Sequence, residues 1–513
     1  MDVHQEVNAG LEVTLGRQSN LKLGTSENIL LTEYIEGVRT INTQVSVVDR
    51  KAVSAVPNPA KEITIGRFRT SQYDRLITAD IGIINKLTNN SIPVPMFLEA
   101  GPRKSLAFNP KTVKVAILTA GGIAPGLNRV IHAIVQRHCE VYELNPNQGG
   151  EVWGIRNGYK GLLSGDRADM FQLFRETTNG WLSLGGTQLG TIREYMTNKE
   201  GERKDPEASQ VELANAAAKG IENAKLDILY VLGGDGSMRI AHLLSERLPQ
   251  MAIACVPKTM DNDILWTWES FGYATAVEEA TKTINTLHQE AVSTRRICII
   301  ELFGAESGFI AANAALASGQ VDLVLIPEVF RFLTNDSNTA LNPDACSQYL
   351  RECITHIQKK IGYYKEDPHA VVVVAEGITD ILKQKNITVP DFQLNEGQEF
   401  PTICDQLKKS LSKFCTNKAG EPVEVFINQP RHNIRAVPAN SRDQMYCERL
   451  GAMVVDSALA GYTDFMVSQW LTEFVLVPLE MATVGQKSIH LNGVFWKQVT
   501  NITGQPSHDN INP

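Results

Sequence analysis

Residues 233–237 read Gly-Gly-Asp-Gly-Ser, at the point where the apolar run 226–232 gives way to a helical pattern. Glycines let a backbone approach a ligand closely, and successive N–H groups in such a turn form a concave anion site. Asp235 repels a phosphate directly. It makes sense if a Mg²⁺ ion lies between its carboxylate and the phosphates. Ser237 can cap the helix that follows and donate to a phosphate oxygen. The plainer reading is a glycine turn with the aspartate as a local cap.

Two further strand ends carry chemistry. In "VPKTMDNDI", residues 256–264, Lys258, Thr259, Asp261 and Asp263 crowd together. A carboxylate beside a hydroxyl can accept its proton as the oxygen attacks phosphorus. Lys258 can neutralise a transferring phosphate. In "LTAGGIAPGLN", residues 118–128, Gly121 and Gly122 permit close approach, and the next helix presents free N–H groups there. Each stretch alone can be only a tight turn or a solvated loop. Together, at the ends of three apolar runs in one α/β body, they point to a phosphotransferase.

These turns need a frame, and the chain supplies one from residue 113 onward. The apolar runs 113–120, 226–234, 251–257 and 295–303 each lead into an amphipathic helical pattern, and 321–328 and 369–377 are further continuous runs. Strands buried on both faces and spaced by helices predict parallel α/β layers. The spacing is irregular and the loops are long, which predicts two lobes rather than one barrel. Residues 1–110 read differently, as short β-branched runs between polar loops, and Pro93, Pro95, Gly101 and Pro102 punctuate the passage to the main body.

Composition sets the outer limits. A chain of 513 residues with 43% hydrophobic and 21% charged residues has the make-up of a soluble globular protein of two or three domains. A formal charge of −8 gives no basic footprint for nucleic acid. No apolar run is long enough to span a bilayer, and the N-terminus lacks the pattern of a secretory signal. The eight cysteines form no Cys-x-x-Cys pair and predict buried free thiols in a reducing cytoplasm. Trp266 and Trp268 read as packing residues.

Eight stretches in order, over about 100 to 485, resemble the phosphofructokinase family. They are "GGIAPGLNRVI", "GIRNGYKGLL" (154–163), "LGGTQLGTIR" (184–193), "GGDGS", "PKTMDND", "ELFGAESGFIAANAALASGQVDLVLIPEV" (301–329), "VVVAEG" (372–377) and "IRAVPANSRDQMYCERLGA" (434–452). The resemblance implies two Rossmann-like three-layer α/β lobes with mostly parallel sheets, the phosphofructokinase fold, plus an N-terminal extension over 1–110. It implies a phosphoryl-donor lobe over 111–272, completed by about 443–487, and a fructose 6-phosphate lobe over 273–442, completed by about 488–513.

The family phosphorylates the 1-hydroxyl of fructose 6-phosphate. By resemblance Asp261 is the base, and Lys258, Thr259 and Asp263 belong with it. Gly121, Arg156, Arg193, Gly234, Asp235, Gly236 and Ser237 line the ATP site, with Asp235 holding Mg²⁺. Thr259, Met260, Phe303, Gly304, Ala305, Glu376 and His432 line the sugar site with Asp261. Arg296 and Arg435 bind the 6-phosphate, since planar guanidinium forks suit phosphate oxygens. One of these arginines can arrive from a neighbouring subunit, so the resemblance implies a homo-oligomer, a dimer or tetramer, in the cytoplasm, with no nucleic-acid or membrane partner.

Gly236 and Lys258 also resemble the long-chain ATP-using branch, because an aspartate at 236 would fill the space the nucleotide needs. The chain departs from the family pattern at Phe303, Gly304 and Ala305, where the family usually reads Met-Gly-Arg, at Ile123, where a small or polar residue is more usual, and at His432, where the long-chain branch carries tyrosine. Ala305 removes a positive charge near the transferring phosphate. Two alternatives therefore stay open: a pyrophosphate-dependent enzyme, and a weakly active regulatory subunit of the same fold.

Overall fold

In the computed structural model, the described residues are 45–48, 56–57, 76–78, 96–163, 167–192, 206–334, 344–363, 366–394, 397 and 399–511. Strands β1 (Leu76–Thr78), β2 (Met96–Glu99), β3 (Lys114–Thr119), β4 (Glu151–Ile155), β5 (Met170–Gln172), β6 (Ile228–Gly233) and β7 (Ala252–Pro257) come first along the chain. They are followed by β8 (Ile297–Leu302), β9 (Leu323–Leu325), β10 (Ala370–Ala375), β11 (Val425–Asn428), β12 (Phe465–Trp470) and β13 (Glu473–Pro478). The chain forms two compact units. One comprises Met1–Met260, Ile264–Gly272 and Arg435–Gln486, and the other Asp261–Asp263, Tyr273–Ile434 and Lys487–Pro513.

The first unit is built on a sheet in the order β1-β2-β13-β12-β7-β6-β3-β4-β5. From β12 through β4 the strands run parallel, and the edges are antiparallel. Every residue of β6 and β7 is buried, as expected where helices cover both faces. Alternation sorts the faces. Leu229, Val231, Ile253 and Cys255 pack with the helices Pro206–Ala224 and Asp235–Arg247. Tyr230 points the other way, and its hydroxyl pairs with the His138 Nε2 at 2.9 Å. Strands β1 and β2, inside the stretch read as an N-terminal extension, add antiparallel to this sheet's edge through β13.

The second unit carries an all-parallel sheet in the order β9-β10-β8-β11. β8 and β10 are buried at every position. The helices Tyr273–Thr294 and Phe309–Ser318 pack as one pair, Ala345–Tyr363 and Ile403–Phe414 as another. Parallel strands joined by helices on both layers match the expected fold class.

The eight cysteines are free; seven are buried and Cys139 is half-buried. Trp266 packs as expected: its indole N–H donates to the Met481 carbonyl at 3.1 Å and its ring lies 5.6 Å from that of Phe97. Trp268 differs from the expectation of a buried packing residue: it is 59% exposed, and its backbone N–H donates to the Gln469 carbonyl at 3.0 Å. Among the described residues no helix is long and apolar enough to cross a membrane.

Candidate active site

In the first unit three neighbouring strands end side by side. β3, β6 and β7 are adjacent and parallel, with Thr119 opposite Leu232 and Pro257 opposite Gly233. The turns at 120–122, 234–237 and 258–260 therefore leave the same edge of the sheet. The Lys258 N–H donates to the Gly233 carbonyl at 2.8 Å, and the Ala120 N–H to the Leu232 carbonyl at 3.0 Å. Gly121 has φ +79°, and a Cβ there would lie 3.3 Å from the Lys258 Nζ. Lys258 is buried, so its ammonium covers the first glycine turn from within the protein. The helix Leu127–Gln136 starts only after residues 123–126. A cation from the end of β7, two strands along the sheet, thus lies at Gly121, and the helix N-terminus is set back from it.

The second glycine turn is shorter than its sequence suggests. β6 ends at Gly233, Gly234 is extended, and the helix starts at Asp235. Ser237 is then the third helical residue. It cannot cap the helix, and no side-chain cap is made. A Cβ at Gly233 would stand 2.3 Å from that of Ser237, so the serine folds back onto the strand end. The first turn of the helix, on Asp235, Gly236 and Ser237, presents its N–H groups at the strand end, the side of a helix that favours an anion. Asp235 pairs with Arg239 at 3.2 Å, one turn along. Among the described residues an added Cβ at Gly236 would meet only the Gln210 Nε2, at 3.7 Å.

The segment before residue 193 runs over the first turn. Thr191 donates its hydroxyl to the Gly121 carbonyl at 2.6 Å, and Thr119 donates to the Gly190 carbonyl at 2.7 Å. Arg193 itself lies outside the described residues. Arg156 is exposed and stacks its guanidinium 4.5 Å from the Phe171 ring centroid. Arg435 also belongs to this unit and is partly exposed.

In the second unit the turns after β8 and β10 are pressed together. Leu302 is opposite Ala375, the Glu376 N–H donates to the Leu302 carbonyl at 3.0 Å, and the Gly377 N–H to the Gly304 carbonyl at 3.1 Å. Gly304 takes φ +138°, and a Cβ there would lie 2.2 Å from the Ser307 carbonyl oxygen, so only glycine fits. Phe303 is buried and Ala305 exposed. Glu328 secures this loop from below, accepting the Gly308 and Ile489 N–H groups, each at 3.0 Å. Burial pushes its carboxyl up.

The Asp261–Asp263 loop belongs to this second unit, immediately after Met260 closes a segment of the first. Ser307 donates its hydroxyl to the Asp261 carbonyl at 2.9 Å. Lys487 holds the other two residues of the loop, its Nζ on the Asn262 amide oxygen at 2.8 Å and its N–H on the Asp263 carbonyl at 2.7 Å. His432 is exposed, on the short helix Arg431–Arg435. Arg431 on that helix reaches Glu301 at 3.4 Å and Glu376 at 3.5 Å. Gln429 also bonds to the buried Glu301 carboxylate.

Arg296 stands apart. It precedes β8 and pairs with Glu424 at 2.9 Å, whereas Glu376 follows the end of β10. Ile297 is opposite Ala370, so Arg296 lies at the N-terminal edge of the sheet and Glu376 at the C-terminal edge. A six-residue strand separates these edges by about 20 Å. Lys487, Ser307 and Arg431 were not found by sequence reasoning. Lys487 and Arg431 lie in no glycine turn, Ser307 lies in the turn from Gly304 to Gly308, and none is within the carboxylate loop. Only the i, i+4 spacing of Arg431 and Arg435 could have drawn notice to the arginine.

Parallel sheets whose C-terminal edges carry a lysine-covered glycine turn, a helix N-terminus and a carboxylate loop define an α/β protein built to handle phosphoryl groups. The family model described as Phosphofructokinase matches residues 114–458. The chain belongs to the phosphofructokinase family. It is 32% identical over 418 residues to a protein of Borreliella burgdorferi named ATP-dependent 6-phosphofructokinase, covering 80% of this chain and 85% of that one. It is 33% identical over 449 residues to a protein of the same name from Amycolatopsis methanolica, covering 85% and 89%. Two solved structures are alike in fold. Phosphofructokinase from Saccharomyces cerevisiae matches with TM-score 0.53 at 21% identity, over 76% of this chain and 47% of that chain. Pyrophosphate-dependent phosphofructokinase from Marinobacter aquaeolei matches with TM-score 0.55 at 16% identity, over 77% and 92%.

Proposed function

We infer that the chain is an ATP-dependent 6-phosphofructokinase. It moves the γ-phosphoryl group of ATP to the 1-hydroxyl of fructose 6-phosphate and gives ADP and fructose 1,6-bisphosphate. The observation that carries this reading is the Lys258 ammonium over Gly121, on the sheet edge that also bears Gly234 and Gly236. A cation and two backbone turns meet where a polyphosphate needs all three. The first unit then carries the nucleotide, on Gly121, Arg156, Arg193, Gly234, Asp235, Gly236 and Ser237. The open space at Gly236 favours ATP as donor, and the named relatives support the same choice.

The second unit carries the sugar phosphate, with Phe303, Gly304, Ala305, Glu376 and His432 along its C-terminal edge. As the sugar oxygen attacks the γ-phosphorus, Asp261 accepts its proton and the bond to the bridging oxygen of ADP breaks. Thr259, Met260 and Asp263 keep the loop in register. Lys258 meets charge that develops on the transferring group. Arg435 binds the 6-phosphate, and Arg296, at the opposite sheet edge from Glu376, serves the site of a second copy in a cytoplasmic homo-oligomer.

Among the described residues no group of three His, Cys, Asp or Glu side chains could hold a metal ion. That fits Mg²⁺ arriving on the nucleotide, since Mg²⁺ takes one or two carboxylates and fills its remaining positions with phosphate oxygens and water. Asp235 is the carboxylate we assign to it, and it would share itself with Arg239. When bound, the ion neutralises phosphate charge.

Purified protein offered Mg²⁺, fructose 6-phosphate and either ATP or pyrophosphate tests the reading. Turnover with ATP is expected. Turnover with pyrophosphate alone would replace the donor, and none with either would favour the regulatory subunit raised by Ala305. Asp261→Asn is expected to lower kcat by about 10²- to 10⁴-fold with substrate binding retained. Wild-type turnover in that variant would remove Asp261 from the mechanism.

A further inference from the structure

Lys487 lies outside every signature of the chain, 225 residues after Asn262, yet it makes two hydrogen bonds to the loop that carries Asp261. Its ammonium is also 5.4 Å from the ring centroid of Phe309, the first residue of the helix that follows Ser307. Three consecutive loop residues are thus fastened, Asp261 by Ser307 and Asn262 and Asp263 by Lys487. Asn262 is buried and left-handed, with φ +57°. Asparagine tolerates that conformation better than most residues, but a single left-handed residue leaves its neighbours able to turn. Bonds on both sides of it and on its side chain remove that freedom.

We propose that Lys487 is a positioning residue for phosphoryl transfer. Its ammonium and backbone N–H lock Asn262 and Asp263, so that the adjacent Asp261 carboxylate is held for the attacking hydroxyl. The proposal rests on Asp261 being the base. Methionine at 487 would keep an unbranched side chain and lose the donor. Arginine would keep a donor and the charge in a different geometry. Asn262→Gly would keep the left-handed backbone and lose the acceptor.

The test uses the full-length protein with Lys487→Met, Lys487→Arg, Asn262→Gly and the Met/Gly double variant. Lys487→Met is expected to lower kcat about 10- to 100-fold, the scale of a misplaced reacting group, with the KM for ATP within about twofold. Lys487→Arg should recover part of the loss. Asn262→Gly should lose a similar amount, and the double variant should be no worse than the worse single, because both remove one interaction. Hydrogen–deuterium exchange should quicken over 259–263 in Lys487→Met and stay unchanged over 228–233. A kcat within about twofold of the parent, strictly additive losses, or unchanged exchange over 259–263 would each overturn the proposal. If Lys487→Met does not fold, Asn262→Gly decides, and parental kcat in that variant overturns it. If the parent itself turns over no substrate, the functional reading has failed, and the exchange measurement judges the clamp by itself.

Discussion

In the proposed reading, Gly236 is where donor choice rests on the absence of a side chain. Among the described residues a Cβ there strikes no atom, so Gly236→Asp is expected to be accommodated and to change the charge and the room at that turn. A carboxylate about 4 Å from a phosphate charge costs about 4 kcal/mol at an effective dielectric constant of 20. Solvent and counter-ions reduce that, so the KM for ATP is expected to rise about 10- to 100-fold, with the KM for fructose 6-phosphate little changed. Steady-state kinetics check it, and an unchanged KM for ATP would show that residue 236 does not face the donor. At the sugar end, Ala305 lacks the charge the family places there. Arg431 brings a guanidinium to Glu376, the residue expected to bond the sugar.

At the scale of elements, the first unit depends on the pairing of the Leu127–Gln136 and Ser441–Leu459 helices. A Cβ at Gly451 would lie 2.5 Å from that of Ala133, so the two helices touch through their small residues. Just beyond the contact Arg137 grips Asp456 with two bonds of 2.8 Å, and Tyr142 adds a third at 2.7 Å. The second helix also reaches toward the active site. Asp443, in its first turn, accepts the Gly272 N–H at 2.9 Å and so ties down the end of the segment that follows the carboxylate loop. Gly451→Val must push the helices apart, and overpacking of this kind costs about 1–3 kcal/mol. The expected result is a lower first transition in thermal denaturation. An unchanged transition would mean that the pair yields without cost.

For the molecule as a whole, the position of Arg296 is the informative feature. A residue at the N-terminal edge of the second unit's sheet cannot meet a ligand held at Glu376 of the same sheet, about 20 Å away. If Arg296 binds the sugar phosphate, it does so in another copy. Arg296→Ser and Asp261→Asn subunits, each nearly inactive alone, are then expected to recover activity when dissociated, mixed and reassociated. Some sites in the hybrids would combine an intact Asp261 loop from one copy with an intact Arg296 from the other. Mixed assemblies, confirmed by mass spectrometry, that stay as inactive as the parents would place Arg296 outside the site.

The features legible in the sequence were those set by short-range rules. Apolar runs gave strand positions, since a strand buried on both faces must be apolar at nearly every residue. Glycines at 121, 233, 234 and 236 marked the turns, because close backbone approach and positive φ restrict residue choice locally. The order of the motifs led to the fold class and the family. Tertiary structure decided what depends on distant segments. Ser237 became an interior helical residue once the strand and helix met at Gly234. Trp268 came out largely exposed, with its backbone bonded to Gln469 about two hundred residues away. β1 and β2 joined a sheet edge that β13, nearly four hundred residues further along, provides. Lys487 found Asn262 across 225 residues, and Arg431 found Glu301 across 130. Periodicity and turn chemistry act over a few residues, where covalent geometry limits the options. Which side chains meet across hundreds of residues is settled only when the packed layers bring them together.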